Sequence, residues 1–208
     1  MNRLTKTLNN LKKNNKKALV AYLVAGDPDL DSTLDLMKIF VEAGVDVIEI
    51  GVPFTDPIAE GPIIQRAHDR ALDNNTSLQK IYEMVENYRK YDDETPLVLM
   101  GYLNTFIFNK KLIEDNQNNV IDSVLVVDIP GELKLKDYGV YNSNINTISL
   151  ISPTTKKDRV ESIAKNSSGF VYYVTLRGVT GASNLDVNEI NSNIAVSYTH
   201  LRAHETSN

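Results

Sequence analysis

Glu49 is the residue whose position first suggests chemistry. It stands alone in the apolar run VDVIEIGV, between Ile48 and Ile50. Burying even a neutral polar group without a partner costs roughly 2–7 kcal/mol, so a lone carboxylate there calls for a reason. Partial desolvation raises a carboxyl pKa toward neutrality, where a group can both give and take a proton. A second carboxylate, Glu60, follows in the loop DPIAEGP. A loop acid is ordinarily just solvated. This one is bracketed by Pro53, Asp56-Pro57 and Gly61-Pro62, which restrict the backbone and favour a positioned group. Tyr102 and Tyr172 fall at the ends of apolar runs and could line a site, although buried tyrosines more often belong to a core. The segment GVTG, residues 178–181, offers backbone N–H groups at a helix start, where phosphate can bind, but two glycines in such a loop are weak evidence. His68 lies in a helical stretch and reads as a surface residue.

The elements that must position these groups alternate in type. ALVAYLVAG (18–26), VDVIEIGV (45–52), PLVLMGY (96–102), SVLVVDIP (123–130), NTISLIS (146–152) and GFVYYVTL (169–176) read as six buried strands. Helices are expected over 29–43, 63–75, 77–91, part of 104–116, a short stretch after the fourth strand, 156–166, and from 184 to 192. The third begins with a predicted capping box, Thr76 with Gln79. Strands apolar on both faces, each followed by a helix, imply a parallel sheet covered by helices. An open doubly wound sheet and a (βα)₈ barrel both satisfy that pattern. No G-x-G-x-x-G follows the first strand. Polar residues cluster after many strands: Asp27, Glu49 to Glu60, Tyr102, Asp128 and the loop from Thr175. That habit favours the barrel. The period of two along the second strand then sets Val47, Glu49 and Gly51 toward the lumen and Ile48 and Ile50 toward the helices.

Composition narrows the class. The 208 residues suffice for one α/β domain, and the formal net charge of -5 gives no global attraction to nucleic acid or an anionic membrane. With no cysteine, disulfides, thiolate metal sites and Cys nucleophiles are excluded; three histidines make a His-rich metal site an unfavourable reading. The basic N-terminus lacks the apolar run of a signal peptide, and no segment approaches the ~18 apolar residues of a transmembrane helix. A soluble, cytoplasmic protein is expected.

The segment IEIGVPFTDPIAEGPIIQRA closely resembles the signature of the tryptophan synthase α subunit family. The resemblance continues through AYLVAGDPD, PLVLMGYLNTF, VLVVDIPGEL, ISLISPTT and VYYVTLRGVTGA, and covers residues 4–194. It implies a (βα)₈ TIM barrel and cleavage of indole-3-glycerol phosphate to indole and glyceraldehyde 3-phosphate. It implies no cofactor in this chain; pyridoxal phosphate belongs to a β subunit that receives indole and makes tryptophan in an α₂β₂ heterotetramer. By motif position, Glu49 matches the glutamate that moves a proton at indole C3. Glu60 matches the carboxylate that polarises the indole N–H, commonly Asp in A-D-G-P, so the acid is kept with one more methylene. Tyr22, Tyr102 and Tyr172 match substrate-pocket residues. Thr180 and Gly181 match the loop that closes over substrate and gives the phosphate an amide. Phe54, Thr55, Asp56 and Pro57 match the loop that meets the β subunit.

The sequence also departs from the family. After residue 195 the alternating pattern stops, where strands seven and eight and most phosphate ligands are expected. Residues 1–195 read as an incomplete barrel. Residues 196–208, VSYTHLRAHETSN, carry His200 and His204 and read as a non-native or disordered tail. Two functions of different class follow: a carbon–carbon lyase, and a chain that docks on a β subunit without turnover. The presence of both carboxylates favours the first. Another phosphosugar barrel is a third reading. An indole-glycerol phosphate synthase would want a lysine inside the barrel, and the six strands show none.

Overall fold

The computed structural model describes residues 2–116 and 119–174. Six strands form one curled parallel sheet: β1 (Val20–Val24), β2 (Val47–Gly51), β3 (Leu97–Gly101), β4 (Ser123–Val126), β5 (Asn146–Ile151) and β6 (Val171–Tyr173). Their spatial order is β1-β2-β3-β4-β5-β6, every neighbouring pair parallel. An open doubly wound sheet would reverse its order at a switch point. A sheet that steps one way round instead belongs to the TIM-barrel class.

The two faces of the sheet are filled as the period of two requires. On the outer face Ile48, Ile50, Leu97, Leu99, Val124 and Val126 are buried beneath α2 (Leu30–Glu42) and α4 (Leu78–Tyr88), in one cluster with Met37, Ile81, Val85 and Tyr88. On the inner face Val47, Val98, Leu125 and Ile148 pack together, with Met100, Leu150 and Tyr172 at their margin. The central strands β2, β3 and β4 therefore bury both faces, and each Val, Leu or Ile so buried contributes roughly 1.5–3 kcal/mol.

Helix α1 (Arg3–Lys13) has no counterpart among the expected elements. Its residues RLTKTLNNLKK are mostly polar, but Leu4, Leu8 and Leu11 recur at the i, i+4, i+7 spacing of a helical stripe, the signal that could have found it. Asn2 caps it by accepting the Leu4 N–H at 2.9 Å. The Asn2 side-chain amide also donates to the Asp122 carbonyl at 2.6 Å and the Asn144 carbonyl at 3.0 Å. Leu4, completely buried, then joins Val47, Val98, Leu125 and Ile148. Since Val47 begins β2, α1 closes the end of the lumen opposite the loops that follow the strands. Beside it, Asp122 accepts from the Leu97 N–H and from Arg89, each at 2.9 Å, and lies 3.4 Å from Arg3.

Two expected elements are corrected. Ser77, not Thr76, caps α4, accepting from the Lys80 N–H, and Gln79 turns outward to donate to Glu83. Thr76 is taken by packing: it is buried against Gly26, where a Cβ would meet the Thr76 Oγ1 at 2.1 Å. Gly26 also has φ of 88°, open to glycine but strained for other residues. The helix expected within 104–116 is two short ones, α5 (Leu103–Phe108) and α6 (Lys110–Asp115), broken at Asn109. The short helical segment expected after β4 is present as a 3₁₀ helix, Leu135–Tyr138. The remaining helices, α3 (Pro62–Asp73) and α7 (Lys157–Asn166), match the expected ones closely. The helix expected from 184 to 192 and the tail 196–208 lie outside the described residues.

Candidate active site

Glu49 sits mid-strand in β2, paired in register with Tyr22 on β1 and Val98 on β3. It is 4% exposed, and its Oε1 has no hydrogen-bond partner among the described residues. The alternation that buries Ile48 and Ile50 outside forces Glu49 inside. Burial, and secondarily the charge of Glu60, push its pKa up to about 7. A carboxyl poised there exchanges a proton readily near neutral pH.

Glu60 reaches the same mouth from the loop after β2. It too is buried, at 5% exposure, and burial raises its pKa. The loop is held at several points. The Glu60 N–H donates to the Pro57 carbonyl at 3.0 Å, and the Gln65 side chain donates to the Glu60 carbonyl at 2.8 Å. The Ala59 N–H donates to the Tyr102 hydroxyl at 3.0 Å. The Phe54 ring stacks on the Tyr102 ring, centroids 4.7 Å apart and planes at 18°. Gly61 and Pro62 then start α3, with Pro at a helix start where its missing N–H costs nothing.

Three tyrosines complete the group. Burial raises the Tyr22 pKa, and the carboxylates Glu60 and Glu49 raise it further. Burial likewise raises that of Tyr172, followed by Glu49 and then Glu60. Tyr102 is pushed up to about 12, chiefly by burial, against the opposing Ala59 N–H bond. All three therefore keep their phenolic protons at neutral pH. They surround two carboxylates with hydroxyls and ring faces, a lining suited to a flat, largely apolar ligand with one or two polar atoms.

The sequence-derived residues thus separate into groups. Glu49, Glu60, Tyr22, Tyr102 and Tyr172 come together. Of the loop 54–57, Thr55 and Asp56 are exposed and linked to each other by a 2.8 Å hydrogen bond, whereas Pro57 is buried and Phe54 half-buried on Tyr102. Thr180 and Gly181 lie outside the described residues, as do His200 and His204. His68 is the correction. Read from sequence as a surface residue, it is 2% exposed, and its Nδ1 accepts the Phe54 N–H at 3.0 Å. The signal was present: Ile64, Ala67 and Ala71 share its face of α3 at helical spacing and pack against β1. No group of three or more metal-ligating side chains occurs among the described residues, and no helix there is long and apolar enough to cross a membrane.

Comparison with known proteins bears on the family and the fold. A family model described as tryptophan synthase alpha chain matches residues 8–205. The tryptophan synthase alpha chain of Thiobacillus denitrificans is 43% identical over 203 residues, covering 96% of this chain and 74% of the relative. The crystal structure of tryptophan synthase subunit alpha from Legionella pneumophila superposes with a TM-score of 0.83 at 37% identity, over 99% of this chain and 76% of that one. A structure of the tryptophan synthase α₂β₂ complex from Pyrococcus furiosus gives a TM-score of 0.78 at 33% identity, over 89% of this chain and 75% of that one.

Proposed function

Because the chain belongs to the tryptophan synthase alpha chain family, a lyase family of amino-acid biosynthesis, we propose that it cleaves indole-3-glycerol phosphate by a retro-aldol step. The observation that carries this reading is the pair Glu49 and Glu60, both buried in one mouth, with Glu49 held near neutrality. The bond to be broken joins indole C3 to the adjacent carbinol carbon. Protonated Glu49 gives its proton to C3, which removes the ring's aromaticity and weakens that bond. The bond's electron pair then returns to the ring, the carbinol becomes the aldehyde of glyceraldehyde 3-phosphate, and its hydroxyl proton goes to the Glu49 carboxylate. Proton count and oxidation level both balance, and the step as written uses only this chain's residues.

Glu60 accepts a hydrogen bond from the indole N–H and stabilises the positive charge that C3 protonation places on the nitrogen. Such charge stabilisation in a water-poor site is commonly the largest catalytic term. Tyr22, Tyr102 and Tyr172 flank the ring. Thr180 and Gly181 are assigned to the loop over the phosphate, and Phe54 to Pro57 to a β-subunit contact in an α₂β₂ assembly. Pyridoxal phosphate is assigned to that partner, and the cytoplasm is the proposed place of action. A chain that only docks on a β subunit would not need Glu49 buried and near neutral. The test is indole release from indole-3-glycerol phosphate: wild-type turnover lost in Glu49→Gln supports the lyase, and equal rates in the two proteins overturn it.

A further inference from the structure

His68 is a buried titratable group beside the Glu60 loop that the proposed chemistry leaves unused. It projects from α3, the helix that follows the Glu60 loop, back onto the start of that loop. Its Nδ1 accepts the Phe54 N–H at 3.0 Å. The proton therefore sits on Nε2, which is buried and has no hydrogen-bond partner among the described residues. Burial lowers the His68 pKa, with Asp69 opposing, so the ring stays neutral and the acceptor available. A buried N–H left unpaired keeps the full desolvation penalty of the group. Accepting that cost in an otherwise apolar setting of Ile64, Ala67 and Ala71 makes sense only if the other ring nitrogen does a task a hydrophobe cannot do.

That task is visible in how the loop is tied. Phe54 is bound twice: its amide to His68, its ring on Tyr102. Tyr102 in turn takes the Ala59 N–H, one residue before Glu60. The segment between Phe54 and Ala59 has Thr55, Asp56 and Ile58 exposed and no secondary structure of its own beyond a turn. The Phe54 N–H would otherwise be an unsatisfied donor beside a buried helix face. We infer that His68 is a positioning residue: its Nδ1 fixes the entry of the loop, holds Phe54 against Tyr102, and so sets where Glu60 stands in the barrel mouth.

The consequence for activity rests on the lyase reading above; the consequence for the loop does not, and the experiment separates them. The full chain is compared with His68→Asn, whose amide oxygen can take the place of Nδ1, and His68→Leu, which fills the volume without an acceptor. Amide hydrogen exchange at Phe54 and Glu60 is measured by NMR beside steady-state indole release. The expected result is that His68→Asn keeps Phe54 protection within about threefold, whereas His68→Leu loses at least about tenfold of it, a local opening rather than global unfolding. In the same variants kcat should follow Phe54 protection, falling about tenfold or more in His68→Leu with a smaller change in KM, as for a misplaced catalytic group. Should His68→Leu not fold, His68→Gln takes its place, its oxygen one methylene too far. Protection and turnover in His68→Leu equal to or above those of His68→Asn would show that His68 only packs, and overturn the inference. If the wild-type chain releases no indole, loss of Phe54 protection confined to His68→Leu leaves the anchoring standing and removes the lyase reading instead.

Discussion

A Cβ placed on Gly51 would lie 2.3 Å from the Tyr22 hydroxyl and 2.8 Å from its ring carbon Cζ. Gly51 and Val24 are register partners, and Tyr22 is the partner of Glu49, so the ring leans along the lumen face toward the strand end. Glycine is required here by a neighbour's bulk, and the space it vacates is what lets a tyrosine stand beside the Glu49 carboxylate.

Gly51→Ala should therefore destabilise the fold by about 1–3 kcal/mol, the usual cost of overpacking. Tyr22→Phe in the same chain should recover part of that loss, because the nearest clashing atom is gone. Urea denaturation of the two single variants and the double variant measures the coupling. Strictly additive costs would show that the two residues do not compete for one volume.

Glu49→Gln should lower kcat about 10²-fold or more, the scale of a general acid–base group. It should also change the pH dependence of stability. The folded pKa of Glu49 is raised, from 4.5 to about 7. Between those values the folded state binds more protons than the unfolded state, so stability is greatest below about pH 4.5 on this account and falls as pH rises toward 7, by up to roughly 3 kcal/mol. Glu49→Gln, neutral throughout, should flatten that fall. Denaturation midpoints for both proteins at pH 5 and pH 8 decide it: an unchanged pH slope would mean Glu49 is solvated in the native state.

Glu60→Ala should nearly abolish indole release, while Glu60→Asp retains a substantial share of it. The carboxylate is what faces the indole nitrogen on this reading, and the His68 and Tyr102 contacts that hold the loop are unaffected by its length. If both variants show the same mild loss under saturating substrate, Glu60 contributes nothing at the ring.

Asp122→Ala should cost about 3–5 kcal/mol, because it leaves Arg89 as a charge without its buried partner. The Arg89 side chain is 8% exposed and that of Asp122 2%. Burial raises the Asp122 pKa, and the Leu97 N–H and the guanidiniums of Arg89 and Arg3 oppose it, so the carboxylate depends on partners that depend on it in turn. Leu4→Ala, at the tip of α1, should cost about 2–5 kcal/mol through the cavity it opens. Thermal melts of each variant test both, and a Leu4→Ala melt like that of wild type would mean α1 is not docked in solution.

Glu49 and Ile48 show how far the order of residues alone carries. A period of two is a local property of extended backbone, so a single polar residue in an apolar strand is assigned to the lumen without knowing what lies across it. The same local logic gives six strands, the intervening helices and the parallel class, and the motif around Glu49 and Glu60 gives the family. Three features needed the tertiary structure. The leucines of helix α1 share one face, but what that face docks on is decided by Asn2 on the carbonyls of Asp122 and Asn144, more than a hundred residues away, and by the inner core that takes Leu4 with Leu8 at its margin. The cap of α4 is Ser77 while the Thr76 side chain fills the space left open by Gly26, far back in the chain. His68 is buried because the loop ahead of α3 folds back over it, and a helical period says which residues share a face but not what covers that face. Hydrogen bonds and excluded volume between distant segments decide such points, and those depend on where the chain returns in space, which no local pattern encodes.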